Sequence, residues 1–264
     1  IHSEDVSESR MLGVRPSLLR KIIAQCGGET EMEFTLTCDV YNDIVEPVVA
    51  SRNIGSKRRW PSFCHYLQSE GDDEEDVGLS SVYVSHSWHS TDFLSLVRAI
   101  EHHHRHHSSS SDVYYYIDVF SRDCSFDLPL NVQEEVIRRC PTFVMAASPV
   151  GNIPVPLTRL HCLLELYMAM HSFPLVKSIA MAMTKEDEDR LLEEILEHGH
   201  EERYGLLCES LKVSTAAAYE SHDRRKRDAL EKCLLDMADG SGTLDGLLHK
   251  QMLSSWIGDT VAKH

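Results

Sequence analysis

Short apolar runs recur along the middle of the chain and are separated by longer amphipathic segments. Runs of a few residues rich in β-branched and aromatic side chains, with little polar alternation, are typical of strands that are covered on both faces. We predict such strands at residues 81–85, 112–120, 142–147 and 175–183, with a possible fifth at 212–215. Their regular recurrence favours one sheet built from successive strand–helix units.

The segments between these runs have apolar residues at the three- and four-residue spacing of a helix. This pattern predicts helices near residues 93–100, 132–137, 160–168 and 185–198, and further helices beyond residue 204. Strands that alternate with amphipathic helices indicate an α/β fold with a parallel sheet.

The first 78 residues have a different pattern of apolar and charged positions. Apolar positions predict a short helix near residues 18–23, and a second helix over 39–49 that Pro47 kinks or ends. Residues 71–76, G-D-D-E-E-D, form a like-charge block that predicts a solvated loop. We therefore place a boundary there, between a partly helical N-terminal extension (1–78) and an α/β domain with a helical C-terminus (79–264).

Charge and cysteine usage narrow the classes of partner. The formal net charge of −16 over 264 residues argues against a nucleic-acid partner, because binding phosphates requires a basic face. No apolar run approaches the ~20 residues of a membrane span, so we expect no membrane partner. The eight cysteines are scattered, with no C-x-x-C pair. This usage is typical of reduced thiols in the cytoplasm and predicts neither disulfides nor a metal site.

The tract H-H-H-R-H-H-S-S-S-S at residues 102–111 has two interpretations. It resembles a metal-binding tract, but no residues that would orient the histidines as ligands are visible in the sequence. We expect a surface loop.

The segment from Pro154 to Ala169 carries the candidate chemistry. Two prolines precede a helix for which Thr158 is a reasonable N-cap. Glu165 lies about 120–140° from the centre of the apolar stripe, with His161 one turn before it. A carboxylate at such a position is ordinarily solvated, so the spacing alone assigns Glu165 no function.

Three stretches together resemble the Toll/interleukin-1 receptor (TIR) domain and a divergent TIR-like branch of it. They are V-Y-V-S-H-S-W (82–88), Y-Y-I-D-V-F-S (115–121) and P-L-T-R-L-H-C-L-L-E-L (156–166). In that branch the first strand ends in S-H-S/A-W, the second in W-I/L-D-x-F, and the helix begins P-L-T-R-A-W-C-L-W-E. The resemblance covers roughly residues 34–256. It implies a flavodoxin-like three-layer fold with five parallel strands in the order 2-1-3-4-5.

The resemblance also implies a function. Many TIR domains cleave NAD between nicotinamide and ribose, in intracellular signalling or defence, and the glutamate of their W-C-x-x-E pattern falls on Glu165. Nicotinamide leaves as a neutral group, so the ribose cation is what needs stabilisation, and one carboxylate can supply it. NAD would be the substrate, with no resident cofactor. Other TIR domains only self-associate, which leaves a non-catalytic interaction module as the alternative.

Several further residues would line the substrate site at the carboxyl ends of the strands or beside Glu165. They are Ser85, His86, Trp88, Asp118, Phe120, Arg159 and His161. Trp88 or Phe120 would pack on a ring of NAD, and Arg159 would meet phosphate or orient the helix.

The same residues also have structural interpretations, and the chain departs from the family pattern. His86 and Trp88 suit a cap and a packing aromatic in the first strand–helix turn, and Asp118 suits a brace at a strand end. His161 and Leu164 stand where the family has tryptophans. Leu164 fits the buried stripe, whereas His161 flanks Glu165 and would alter or inactivate the pocket.

Overall fold

The structure is a computed structural model that describes most of the first 198 residues. The described ranges are 11–54, 60–70, 74–107, 112–122, 130–148, 154–172 and 174–198. The possible fifth strand at 212–215, the helices predicted beyond residue 204 and the serines that end the histidine tract lie outside them.

A six-stranded mixed sheet forms the centre of the fold. Its strands are β1 (Leu12–Val14), β2 (Val77–Leu79), β3 (Val82–Ser85), β4 (Tyr115–Ile117), β5 (Thr142–Ala146) and β6 (Ser178–Ala182). The spatial order is β2-β1-β4-β3-β5-β6. Strands β4, β3, β5 and β6 are parallel, which confirms the α/β class and the four main predicted strands. Across the sheet, these four strands are the second, first, third and fourth of the four in chain order.

The prediction of an all-parallel sheet is wrong for the described residues. Strand β1 runs antiparallel to both β2 and β4. Strand β1 and most of β2 come from the segment that we expected to be a partly helical extension. Each is only three residues long, which is too short to give a readable hydrophobic period. The proposed boundary near residue 78 falls inside β2 and stays a prediction.

Strand β1 fits against β4 because residue 13 is a glycine. A Cβ atom there would lie 2.6 Å from the carbonyl oxygen of Tyr115.

We predicted a solvated loop for the like-charge block before β2, but Asp76 at its end is only 7% exposed. The Asp76 carboxylate accepts hydrogen bonds from Lys21 and Ser17 at 2.5 Å. Burial opposes ionisation of Asp76, but these contacts outweigh it and lower its pKa.

Helices cover both faces of the sheet. They are α1 (Pro16–Gln25), α2 (Thr37–Val40), α3 (Glu46–Asn53), α4 (Phe63–Glu70), α5 (Phe93–His107), α6 (Asp118–Ser121), α7 (Leu130–Arg139), α8 (Leu160–His171) and α9 (Lys185–His198). One apolar cluster joins α1 to α6 with one face of the sheet. The other joins α7, α8 and α9 with the opposite face. The architecture is therefore three-layered, with two separate cores.

The helix predicted over residues 39–49 does not end at Pro47. Helix α2 leads through one wide π-type turn, Tyr41–Val45, directly into α3, in which Pro47 lies at the start. A proline has no N–H for the preceding turn, and a wide turn immediately before it accommodates the missing bond.

The described part of the histidine tract, residues 102–107, is not the surface loop that we expected. Helix α5 runs through it to His107, and both His102 and His103 are buried. His102 Nε2 lies 2.6 Å from Glu188 Oε2 on α9, and His103 Nδ1 lies 3.3 Å from the Tyr115 hydroxyl. These partners come from distant segments, so the low-complexity pattern gave no sign of them. None of the helices in the described ranges is both long and apolar enough to cross a bilayer.

Candidate functional site

The N-cap of helix α8 lies one residue later than the sequence predicts. A short 3-10 turn, Val155–Thr158, follows Pro154, and Arg159 rather than Thr158 occupies the N-cap position of α8. The Thr158 hydroxyl donates instead to the carbonyl oxygen of Val155 at 2.7 Å. The prolines therefore hold the chain in a turn for one residue longer than helical spacing indicates.

Glu165 is buried, which corrects the expectation of a solvated flank. It is 3% exposed, and α8 is buried on nearly all sides from Cys162 to Ala169. The flank that carries Glu165 faces β3, where Tyr83 and Ser85 project on the same side because they are two residues apart in a strand.

Side chains from three elements hold the Glu165 carboxylate. The Tyr83 hydroxyl and the Gln133 amide each donate to Oε1 at 2.6 Å, and the Ser85 hydroxyl donates to Oε2 at 2.6 Å. His161 Nε2 lies 3.3 Å from Oε1, one helical turn earlier. Of the predicted site residues, Ser85 and His161 are therefore brought together with Glu165.

This network keeps the carboxylate charged. Burial opposes ionisation of Glu165, but the charge of a protonated His161 and the hydrogen bonds from His161, Ser85 and Tyr83 outweigh it and lower its pKa. Burial and the neighbouring Glu165 charge raise the Tyr83 pKa well above its usual value, so the phenol stays a donor. Near neutral pH the site is a buried anion held by neutral donors and a histidine.

The two carboxylate oxygens of Glu165 have different numbers of hydrogen-bonding partners. Oε1 faces Tyr83, Gln133 and His161, whereas Ser85 is the donor to Oε2 among the described residues. A carboxylate oxygen can accept two hydrogen bonds. Oε2 is therefore the atom with capacity for a donor from a substrate.

Tyr83 is held by more than its hydrogen bonds. Its ring is stacked with Tyr116 of β4 at 5.4 Å and with Phe143 of β5 at 5.7 Å, both nearly parallel. The Gln133 amide also donates to the Tyr83 hydroxyl at 3.3 Å. Sequence reasoning missed Tyr83 and Gln133. The two-residue spacing from Ser85 was the available sign for Tyr83, and nothing local marked Gln133.

A second polar group lies at the carboxyl ends of β3 and β4. The Trp88 indole N–H donates to Asp118 Oδ2 at 2.8 Å, and His86 Nδ1 lies 3.7 Å from Asp118 Oδ1. The predicted strand over 112–120 is shorter than expected, because β4 ends at Ile117 and Asp118 opens α6. The structure thus brings His86, Trp88 and Asp118 together.

The remaining two predicted site residues have structural partners. Phe120 is fully buried between Phe63 and Phe93, with ring centroids 6.0 and 6.2 Å away. This packing favours a core role for Phe120 over stacking on a ligand. The Arg159 guanidinium donates to the Ser90 hydroxyl, which joins the start of α8 to the loop after β3.

The two polar groups meet at one short stretch of chain. Ser85 faces Glu165, while its neighbour His86 faces Asp118. Cys162 Sγ donates to the His86 carbonyl oxygen at 3.4 Å, so α8 also contacts this point. In parallel sheets, ligands bind at this edge.

No protein-family model, no curated protein and no solved structure matches the chain.

The His161–Glu165 pair makes a prediction about acid stability. A carboxylate whose pKa is lowered by folding stabilises the folded state above its unfolded-state pKa, and this stabilisation is lost as the pH falls through the folded-state value. The charge of a protonated His161 is one of the interactions that lower the Glu165 pKa, and pH 5 is the condition chosen to test it. We expect His161→Ala to cost about 1 kcal/mol there and to move the acid-induced loss of stability to higher pH.

Urea unfolding between pH 3.5 and 7 measures this effect. His89→Ala is the matched control, because His89 is exposed in the loop after β3. Identical pH profiles for His161→Ala and the unmodified chain would show that His161 does not stabilise the Glu165 charge.

Proposed function

We propose that this protein cleaves NAD at the bond between nicotinamide and ribose, with Glu165 as the catalytic carboxylate. The observation that carries the proposal is a buried, ionised glutamate beside the carboxyl end of β3, held by Tyr83, Ser85, Gln133 and His161. The motif resemblance supplies the substrate class, since it places the TIR glutamate at this same residue.

The chemistry needs one negative group and little proton transfer. The bond from C1′ to the nicotinamide nitrogen breaks, and its electron pair goes to that nitrogen and cancels the positive charge of the ring. The ribose is left cation-like, and the nearby Glu165 carboxylate stabilises it. Water then adds at C1′ and releases a proton, which gives ADP-ribose and free nicotinamide.

The surrounding residues prepare the carboxylate for this step. Tyr83, Gln133 and His161 bind Oε1 and fix its orientation, so the carboxylate needs no reorganisation when the ribose becomes positive. Oε2 then accepts a hydrogen bond from a ribose hydroxyl, either beside Ser85 or in its place. Low dielectric around a buried anion strengthens its attraction for the ribose cation.

The burial of Glu165 also supports a second candidate. A carboxylate that is 3% exposed and accepts hydrogen bonds from three donors suits a purely structural role, in which it joins β3, α7 and α8. The protein would then be a non-catalytic TIR-like module that acts by self-association.

Nicotinamide release from NAD distinguishes the two. The purified chain is assayed by chromatography over a wide range of protein concentrations, with light scattering on the same samples. The NAD-cleaving function predicts stoichiometric nicotinamide and ADP-ribose, with a specific rate that is constant or rises with concentration. Self-association without any nicotinamide release, also after tethering two copies, would reject it in favour of the interaction module.

A further inference from the structure

Two buried nitrogen atoms near Asp118 have no hydrogen-bond partner among the described residues. They are Nε2 of His86 and Nε of Arg122. The His86 side chain is 1% exposed. Buried polar atoms are nearly always hydrogen-bonded in folded proteins, so each of these two atoms indicates a missing partner.

Arg122 is held so that its donors stay available. Its guanidinium lies over the Trp88 ring at 4.2 Å and near the Tyr41 ring at 5.4 Å. Trp88 and Tyr41 in turn contact each other, with centroids 5.0 Å apart. Stacking uses the face of the guanidinium, whereas its N–H groups project in its plane, where they can bind an anion.

Asp118 faces His86 and also accepts hydrogen bonds from other donors. It accepts the Trp88 indole N–H and the backbone N–H of Val119 at 2.9 Å. Asp118 Oδ1 lies 3.7 Å from His86 Nδ1, so the carboxylate faces this nitrogen of the ring. Nε2 is therefore the nitrogen that remains for a hydrogen bond with a hydroxyl group, which can donate or accept.

We propose that Arg122 and His86 form a subsite for the diphosphate–ribose part of a nucleotide. Arg122 binds a phosphate oxygen, and His86 Nε2 forms a hydrogen bond with a ribose hydroxyl. A nucleoside diphosphate carries both groups close together, whereas a simple anion would leave His86 unpaired. In a chain of net charge −16, an anion can be held only by local cations such as this one.

The subsite adjoins the Glu165 network, because His86 follows Ser85 directly in the chain. In the proposed complex, a dinucleotide contacts Glu165 through one ribose and Arg122 through its diphosphate. This assignment rests on the proposed function for its substrate, but it concerns binding rather than cleavage and is tested separately.

Isothermal titration calorimetry with ADP-ribose tests the subsite in the full chain. One charge-assisted hydrogen bond corresponds to about a ten- to hundredfold change in affinity, so Arg122→Gln should weaken ADP-ribose binding by that factor. It should leave the affinity for adenosine, which has no phosphate, unchanged. Arg138→Gln is the matched control, since Arg138 is an exposed arginine on α7.

Arg122→Lys is the second variant. It keeps a cation over Trp88 but lacks the Nε–H and the planar fork, so it should fold like the unmodified chain and still lose affinity for ADP-ribose. Circular dichroism verifies folding of each variant, and Arg122→Lys decides the matter if Arg122→Gln unfolds.

The outcomes separate this inference from the proposed function. Binding of ADP-ribose that depends on Arg122, without nicotinamide release from NAD, supports the subsite and rejects the glycohydrolase. Cleavage of NAD with unchanged KM and unchanged ADP-ribose affinity in both Arg122 variants overturns the subsite and leaves the glycohydrolase. Absence of ADP-ribose binding at millimolar concentration also overturns the subsite.

Discussion

Replacing Glu165 with glutamine is expected to slow nicotinamide release from NAD by about a hundred- to a thousandfold. The glutamine amide has nearly the same shape as the carboxylate, and its oxygen can still accept from Tyr83. It carries no charge, however, so it cannot stabilise a cation-like ribose. Because the leaving nicotinamide needs little protonation, this charge is the main catalytic contribution that the site can make.

Initial rates of the two chains at saturating NAD measure the effect on the chemical step. Glu193→Gln is the control, because Glu193 is an exposed glutamate on α9, and its rate should equal that of the unmodified chain. Equal rates for Glu165→Gln and the unmodified chain would exclude Glu165 as the catalytic residue, even if NAD is cleaved.

Glu165→Ala is expected to reduce the free energy of unfolding by about 3–5 kcal/mol, the cost of removing one partner from a buried charged network. The substitution leaves a cavity between β3 and α8. It also leaves the Tyr83 hydroxyl and the Gln133 amide in a buried space without their acceptor. Each of these losses is costly because water cannot replace the missing partner.

Urea unfolding at pH 7 measures this prediction, with Glu193→Ala as the control expected to change stability by no more than about 0.5 kcal/mol. A cost below about 1 kcal/mol for Glu165→Ala would mean that the network contributes little to folding. The size of the expected cost is the reason that the activity comparison uses glutamine, which retains an acceptor for the neighbouring donors.

The sequence identified the parts of the fold that have strong local signals. Strands β3 and β5 are buried runs and β6 is a partly exposed apolar run, and their alternation with helices predicts a parallel sheet. Strand β1 was not predicted, because three residues are too few to show a hydrophobic period. Its place beside β4 depends on the close approach of the two backbones at Gly13. Helix α5 was predicted too short, because its last histidines are stabilised by Glu188 and Tyr115 from other parts of the chain.

The candidate site was predictable only in part, for a similar reason. The motif resemblance selected Glu165, Ser85 and His161, and the structure joins these three. Helical spacing placed Glu165 beside the apolar stripe, but whether that flank meets water or a strand depends on the whole sheet. Tyr83 had only its two-residue spacing from Ser85 as a sign. Gln133 appeared as an ordinary helix residue, because its contact with distant segments leaves no pattern in its own helix.

The proposed function requires the Glu165 carboxylate to contact the ribose of NAD. A crystal structure of the Glu165→Gln variant with NAD bound tests it most directly, because the slow variant preserves the intact substrate. We expect a hydroxyl of the nicotinamide ribose within hydrogen-bonding distance of the side chain at position 165. NAD bound with that ribose away from position 165, or no bound NAD in crystals saturated with it, would contradict the account.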